Sequence, residues 1–173
     1  MGWTHEQCRK KKGLDGLIAV YDYQDKRVRK IVEEIKFGFN QELLRELMRG
    51  LVLELGESFD QVIPLPLFKY RENWRGFNQA EVMARFVAES TGIEMKKHLQ
   101  RIKNTSQQAK EQSKKDRFQN LKEAFRMVGK ESLRGKKVLL VDDVFTTGAS
   151  LLSATESLKK AGVNMVWGLV LAH

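Results

Sequence analysis

The sequence predicts an α/β fold, with a mostly parallel central sheet covered by helices on both faces. Three observations point there. The last third reads as strand (137–141), turn (142–148), helix (149–161) and strand (164–172), and such a βαβ unit lays its two strands parallel with both faces buried. Near the start, LIAVYDY (Leu17–Tyr23) is an aliphatic and aromatic run that leads into apolar residues at helical spacing. The 173 residues, 42% hydrophobic and 31% charged, suit one domain with a real core.

Along the chain the elements follow from local pattern. Val28, Ile31, Val32 and Ile35 form the stripe of a helix ending near Phe37-Gly38. A second amphipathic helix runs from Gln41 to about Leu55 on Leu43, Leu44, Leu47, Met48, Leu51 and Val52, with Gly56 as its stop. DQVIPLPL is a short strand broken by Pro64 and Pro66, since proline donates nothing to a ladder. A loop then leads to a helix from about Asn78 to Ser90, carrying Val82, Met83, Phe86 and Val87 and closed by Gly92. Asn104 to Asp116 is polar without periodicity and reads as a mobile loop. Order returns at EAFRMV (Glu123–Val128). The last helix presents Leu151, Leu152, Thr155 and Leu158, and Gly162 caps it.

Charge narrows the partners. A net +9 favours anions of any size, and Lys96 to Arg117 alone holds eight basic residues against two acidic ones. Apolar runs such as VLLV and WGLVLA are too short to span a bilayer, so no membrane insertion is expected. No apolar signal region follows the basic Arg9–Lys12, and the chain is read as cytosolic. Cys8 stands alone, which excludes a disulfide framework and a zinc site. His5, His98 and His173 have no metal-ligand spacing and are read as surface residues, while Trp167 is read as packing in the final strand.

The chemistry concentrates in VLLVDDVFTTGAS (Val138–Ser150). A turn after a parallel strand, entering a helix, is where open α/β sheets bind ligands. Thr146, Thr147, Gly148, Ala149 and Ser150 are small or hydroxyl-bearing, so backbone N–H groups and the helix dipole can meet a phosphate there. Asp142 and Asp143 need another partner. Ionised carboxylates accept hydrogen bonds, and vicinal sugar hydroxyls donate them, so a ribose 5-phosphate satisfies the whole stretch. The competing reading makes Asp142 a helix cap, Asp143 a solvated acid and the threonines an ordinary N-cap.

This stretch resembles, along its full length, the phosphoribosyl-pyrophosphate (PRPP) signature of type I phosphoribosyltransferases. YDYQDKRVRKIVEEIKF, VIPLPL followed by RGFNQAE, and RIKNTSQQAK followed by RFQNLKEAF are similar to the ComF (ComFC) family of competence proteins, from about Gly16 to His173. The resemblance implies a type I phosphoribosyltransferase-like domain over 16–173, with a small hood and flexible loop, preceded by an N-terminal segment (1–15). It also implies a role in uptake or processing of single-stranded transforming DNA. Implied partners are PRPP or another ribose phosphate, single-stranded DNA, and a competence helicase or DNA-processing protein. One departure is the four-cysteine zinc ribbon with which ComF proteins commonly begin, of which only Cys8 is matched.

In such a fold Pro64, Leu65, Pro66 and Leu67 fall at the pyrophosphate loop, with Arg75 as a cation for the leaving anion. A proline-bent edge strand is the alternative. KYRENWRGFNQ interleaves Lys69, Arg71 and Arg75 with Tyr70, Trp74 and Phe77, which suits a single-stranded nucleic acid. Phe77 as a packing residue and Arg75 on pyrophosphate is the alternative. Arg101, Lys103, Lys114, Lys115 and Arg117 belong to a loop that either closes over substrate or recruits DNA phosphates. The implied reaction displaces pyrophosphate from C1 of PRPP, with Asp142 and Asp143 stabilising a cation-like sugar and Mg2+ held mainly through the ligand. Nucleobase salvage and a non-catalytic PRPP-sensing scaffold are competing functions.

Overall fold

The computed structural model describes residues 3–4, 13–38, 40–49, 55–103 and 124–173. The elements among them, in chain order, are β1 (Trp3–Thr4), β2 (Gly16–Tyr21), α1 (Lys26–Phe37), α2 (Gln41–Arg49), β3 (Gln61–Pro64), α3 (Lys69–Arg75), α4 (Gln79–Thr91), β4 (Leu99–Arg101), β5 (Phe125–Met127), β6 (Lys137–Val144), α5 (Ala149–Lys160) and β7 (Met165–Ala172). Cys8, His5 and the polar stretch Asn104–Asp116 lie outside the described residues.

The main sheet has the order β1-β2-β7-β6-β3, parallel from β2 to β3, with β1 added antiparallel to β2. The expected βαβ unit is β6, α5 and β7, with Leu139 opposite Trp167 and Val141 opposite Leu169. Val138, Leu139, Leu140 and Val141 are fully buried, as a central parallel strand covered on both faces requires. Their alternation divides the core in two. Val138 and Leu140 face α5, packing in one cluster with Leu151, Leu152 and Leu158. Leu139 and Val141 face the other way, clustering with Val32 and Ile35 of α1, Leu44 of α2 and Met83 of α4. The sheet is thus covered by helices on both faces.

Beside α5 stands a two-stranded antiparallel sheet, β4 with β5, tied to the helix where the Ser157 hydroxyl donates to the Phe125 carbonyl at 3.0 Å. Pro64 ends β3 on the edge of the main sheet without breaking it. The N–H of Val62 donates outward to Glu94 and that of Leu65 inward to Val141, so the donor Pro64 lacks would point to the open edge.

Four expectations need correction. Lys69–Arg75, read as loop, is a helix, because no glycine or proline interrupts it between Pro66 and the left-handed Gly76 that caps it. β6 runs on to Val144, with Asp142 paired to Val170 and Val144 to Ala172, so both acids lie in the strand and not in a turn. The helix from Gln41 is described to Arg49. Residues 50–54, with Leu51 and Val52, lie outside the described residues, while Leu55 and Gly56 are not helical. His98 is buried, 4% exposed, its Nε2 3.0 Å from Gln61 Oε1, because its basic surroundings in sequence give way to the inward turn that starts β4. Trp167 packs as expected, 6% exposed and edge-on to Phe59 with ring centroids 6.1 Å apart.

One close approach carries a stability test. A Cβ on Gly16 would lie 2.4 Å from the Trp167 ring, an overlap that rigid aromatic packing relieves only at a cost of about 1 to 3 kcal/mol. Gly16→Ala is therefore expected to lower the unfolding free energy by that amount, read as a lower urea midpoint at unchanged m-value. Gly56→Ala, where nothing lies within 4 Å, is expected to stay within about 0.5 kcal/mol.

Candidate functional site

Extending the alternation of β6 by two residues resolves the problem of adjacent like charges. Asp142 follows Val138 and Leu140 toward α5, while Asp143 follows Leu139 and Val141 toward α1. The Lys36 ammonium, at the end of α1, meets Asp143 at 3.2 Å, with side chains 21% and 16% exposed. The Asp143 N–H donates to Asp142 Oδ1 at 2.9 Å. Asp142 is half-buried, and burial first, then the charge of Asp143, push its carboxyl up to about 7.

The acids open onto a cavity of about 270 Å³ at the carboxyl end of the parallel strands. Leu65, Pro66 and Leu67 form one wall, Thr146 and Ser150 another, and Lys36, Arg71, Arg75 and Arg101 converge from α1, α3 and β4. A smaller adjoining pocket, about 60 Å³, is bounded by Asp142 and by Thr146 to Leu151. There Gly148, with φ +72°, is the N-cap of α5. The position needs glycine twice over, for that φ and because a Cβ would lie 2.2 Å from the Phe145 ring. The result is a helix N-terminus open to an anion. A larger groove, about 650 Å³ between α2 and α4, contains neither acid.

Among the described residues, four cations against two acids make the cavity electropositive. Burial lowers the pKa of Arg71, Arg75 and Arg101, and the neighbouring charge of Arg71 adds to the effect on Arg101. Arg75 Nε and Gln79 Nε2, on two residues that line this space, are buried without a hydrogen-bond partner among the described residues. Leaving such donors unmade costs about 1 to 3 kcal/mol each.

Of the residues singled out in the sequence, Asp142, Asp143, Thr146, Ser150, Leu65, Pro66, Leu67, Arg71, Arg75 and Arg101 meet at this cavity, and Thr147, Gly148 and Ala149 border its smaller neighbour. Pro64 is buried at the end of β3. Lys69, Tyr70, Trp74 and Lys103 are exposed. Phe77 is half-buried against the α1, α2 and α4 core, which favours its packing role over base stacking. Lys114, Lys115 and Arg117 lie outside the described residues.

Three polar residues of the cavity, Asn78, Gln79 and Lys36, were not among those singled out. Asn78 caps α4 by accepting from the Ala80 N–H at 3.0 Å, and its amide donates to the Leu65 carbonyl at 3.1 Å, tying the loop wall to the helix. Its place before an apolar helical run was a readable cap signal. Gln79 follows it, with Arg75 Nη1 donating to its Oε1 at 3.3 Å. Lys36 carried no local signal, since a lysine in the last turn of a helix is ordinary.

With this geometry in hand, comparison with known proteins is decisive for the family. A model described as "Phosphoribosyl transferase domain" matches residues 37–172. The chain belongs to that family. It is a relative of the ComF/ComFC competence proteins, 38% identical over 133 residues to Competence protein F of Haemophilus influenzae, covering 75% of this chain and 56% of that protein. It is 26% identical over 148 residues to Competence protein ComFC of Bacillus subtilis, covering 83% and 58%. The chain thus spans a little over half the length of these relatives. Among solved structures, adenine phosphoribosyltransferase from Leishmania donovani superposes with a TM-score of 0.49 at 12% identity, covering 98% of this chain and 86% of that one. The matched family domain, covering most of the chain, gives the fold as that of a phosphoribosyltransferase domain. Among the described residues no helix is long and apolar enough to cross a membrane.

The electrostatics of Asp142 give a pH test. An acid whose pKa rises on folding, here from 3.8 to about 7, holds its proton more tightly in the folded chain. Its stabilising contribution is complete below the lower value and is lost as pH rises toward the upper one. Asp142→Asn removes that dependence. Urea unfolding of both proteins across this window is expected to show wild-type stability falling by about 1 to 3 kcal/mol relative to the variant, after allowance for partial exposure.

Proposed function

We propose that this chain binds PRPP as a ribose-phosphate-recognising domain working in the handling of single-stranded DNA during competence. The observation that carries the ligand is the division of labour around β6. Two carboxylates stand at the centre, a helix N-terminus lies in the pocket beside Asp142, and four cations gather in the adjoining cavity. A ribose with a phosphate at one end and pyrophosphate at the other has that order of groups. Its 5-phosphate goes to the backbone N–H groups of residues 147–150, its 2- and 3-hydroxyls to Asp142 and Asp143, and its pyrophosphate to Arg75, Arg71 and Gln79. The biological setting comes from the two relatives, both of them competence proteins.

Mg2+ fits this donor set. Two carboxylates beside an anionic cavity ligand suit a hard cation that keeps most of its shell from ligand oxygens and water, and it would neutralise pyrophosphate there. The chain's own residues prepare for transfer at C1. In that step the C1–O bond to pyrophosphate breaks with its electron pair leaving on pyrophosphate, and the acceptor's lone pair forms the new bond to C1. Asp142 and Asp143 lie where the ring gains positive charge, and Arg75 and Gln79 where negative charge accumulates.

Calorimetric titration with PRPP and Mg2+ tests the reading. Saturable one-site binding is expected. Each of Asp142→Asn and Asp143→Asn should weaken it about 10- to 100-fold, the loss of hydrogen bonds to a charged group worth about 1.5 to 3 kcal/mol. Absence of binding by the wild type would refute it.

A further inference from the structure

Among the described residues, every cation that lines the cavity has an exposed hydrophobic residue as its neighbour in sequence. Lys36 precedes Phe37, Tyr70 precedes Arg71, Trp74 precedes Arg75, and Arg101 precedes Ile102. These hydrophobic residues, at 60%, 66%, 56% and 44% exposure, are the large ones that stand exposed among the described residues. Scattered apolar side chains on a surface need no explanation, but a set gathered at one place does. These come from three distant segments, and the fold brings all three to one cavity mouth.

Local geometry produces the pairing. On α3, spacing of four places Tyr70 beside Trp74 and Arg71 beside Arg75, on adjacent faces of the helix. One face turns guanidinium groups into the cavity and the next turns rings outward. Arg75 Cζ lies 5.9 Å from the centroid of the Phe37 ring, so the end of α1 borders the same mouth. Across from it, Arg101 at the end of β4 lines the same cavity, with exposed Ile102 next to it in sequence. The interior is cationic and polar, and the rim is flat and apolar.

We propose that cavity and rim together bind single-stranded nucleic acid, with a backbone phosphate on the cavity cations and bases resting on Tyr70, Trp74 and Phe37, so that the nucleic acid and PRPP exclude one another. The inference rests on the reading of the cavity as a PRPP site, because exclusion follows from shared use of Arg71 and Arg75. A free nucleobase gains affinity from an enclosed slot that buries most of its surface. These rings are more than half exposed and spread over two segments, which suits successive bases stacking on open platforms. A membrane surface is disfavoured because its headgroups meet cations facing outward around apolar residues, whereas here the cations face inward. The acids contribute nothing to a backbone phosphate and repel it. The two ligands therefore respond oppositely to their removal.

The test uses the full chain and a 12-base single-stranded oligodeoxynucleotide, fluorescently labelled at one end, followed by anisotropy. PRPP with Mg2+ is expected to displace it completely, at concentrations matching the PRPP affinity from calorimetry. Tyr70→Ala/Trp74→Ala should weaken the oligonucleotide about 10- to 100-fold, at least fivefold more than PRPP. Arg75→Gln should weaken both ligands and make the oligonucleotide's salt slope shallower by about 0.7. Asp142→Asn/Asp143→Asn should weaken PRPP while tightening the oligonucleotide. Urea midpoints of each variant confirm folding. A ternary complex, no oligonucleotide binding, no loss in the rim variant, or equal binding to vesicles of anionic lipid that the oligonucleotide fails to displace would each overturn the proposal and leave the PRPP reading standing. Failure of PRPP to bind in calorimetry without oligonucleotide would overturn both.

Discussion

The site depends on a single geometric constraint, the two-residue period of a β-strand carried past the buried part of β6. Val138 to Val141 must alternate between two core clusters to fill both faces of the sheet. That alternation continues into Asp142 and Asp143 whether or not their charges favour it. Because neighbours in a strand point to opposite faces, two carboxylates adjacent in sequence are held apart. One meets Lys36, and the other stands beside the N-terminus of α5. A slip of one residue in the register of β6 would exchange these partners and expose the core at once.

The remaining site parts are positioned by elements with their own reasons to exist. α5 starts where it does because Gly148 alone accepts both the left-handed conformation and the Phe145 ring beneath it. The Leu65–Leu67 wall stays near the acids through the Leu65 N–H to Val141 bond and the Asn78 amide on the Leu65 carbonyl. The cations of α3 face inward because the helix is short and ends at Gly76, leaving Arg71 and Arg75 on one side. Placing half-buried, like-charged guanidiniums together is unfavourable, and the charge of Asp143 offsets part of that cost at Arg71 and Arg75.

Much of this was legible in the sequence, and the exceptions have physical causes. Strand and helix periodicity gave the sheet, α1, α4 and α5, because each buries one continuous stripe or face. The acids and the small-residue loop were readable because their chemistry is contiguous between Asp142 and Ser150. By contrast α3 is amphipathic in a different sense, cationic against aromatic, and apolar periodicity is blind to that. Lys36 joins the site only through a tertiary contact between α1 and β6. His98 looks like a surface residue among lysines, yet its partner Gln61 lies on another strand. Local pattern cannot report a partner that the fold supplies.

The most direct test of the account is a crystal structure of the chain with PRPP and Mg2+. The account requires the ribose hydroxyls within hydrogen-bonding distance of Asp142 and Asp143, the 5-phosphate on the amides of residues 147–150, and pyrophosphate on Arg75 and Gln79. A ligand bound elsewhere, in the groove between α2 and α4 or with its 5-phosphate on α3, would contradict it.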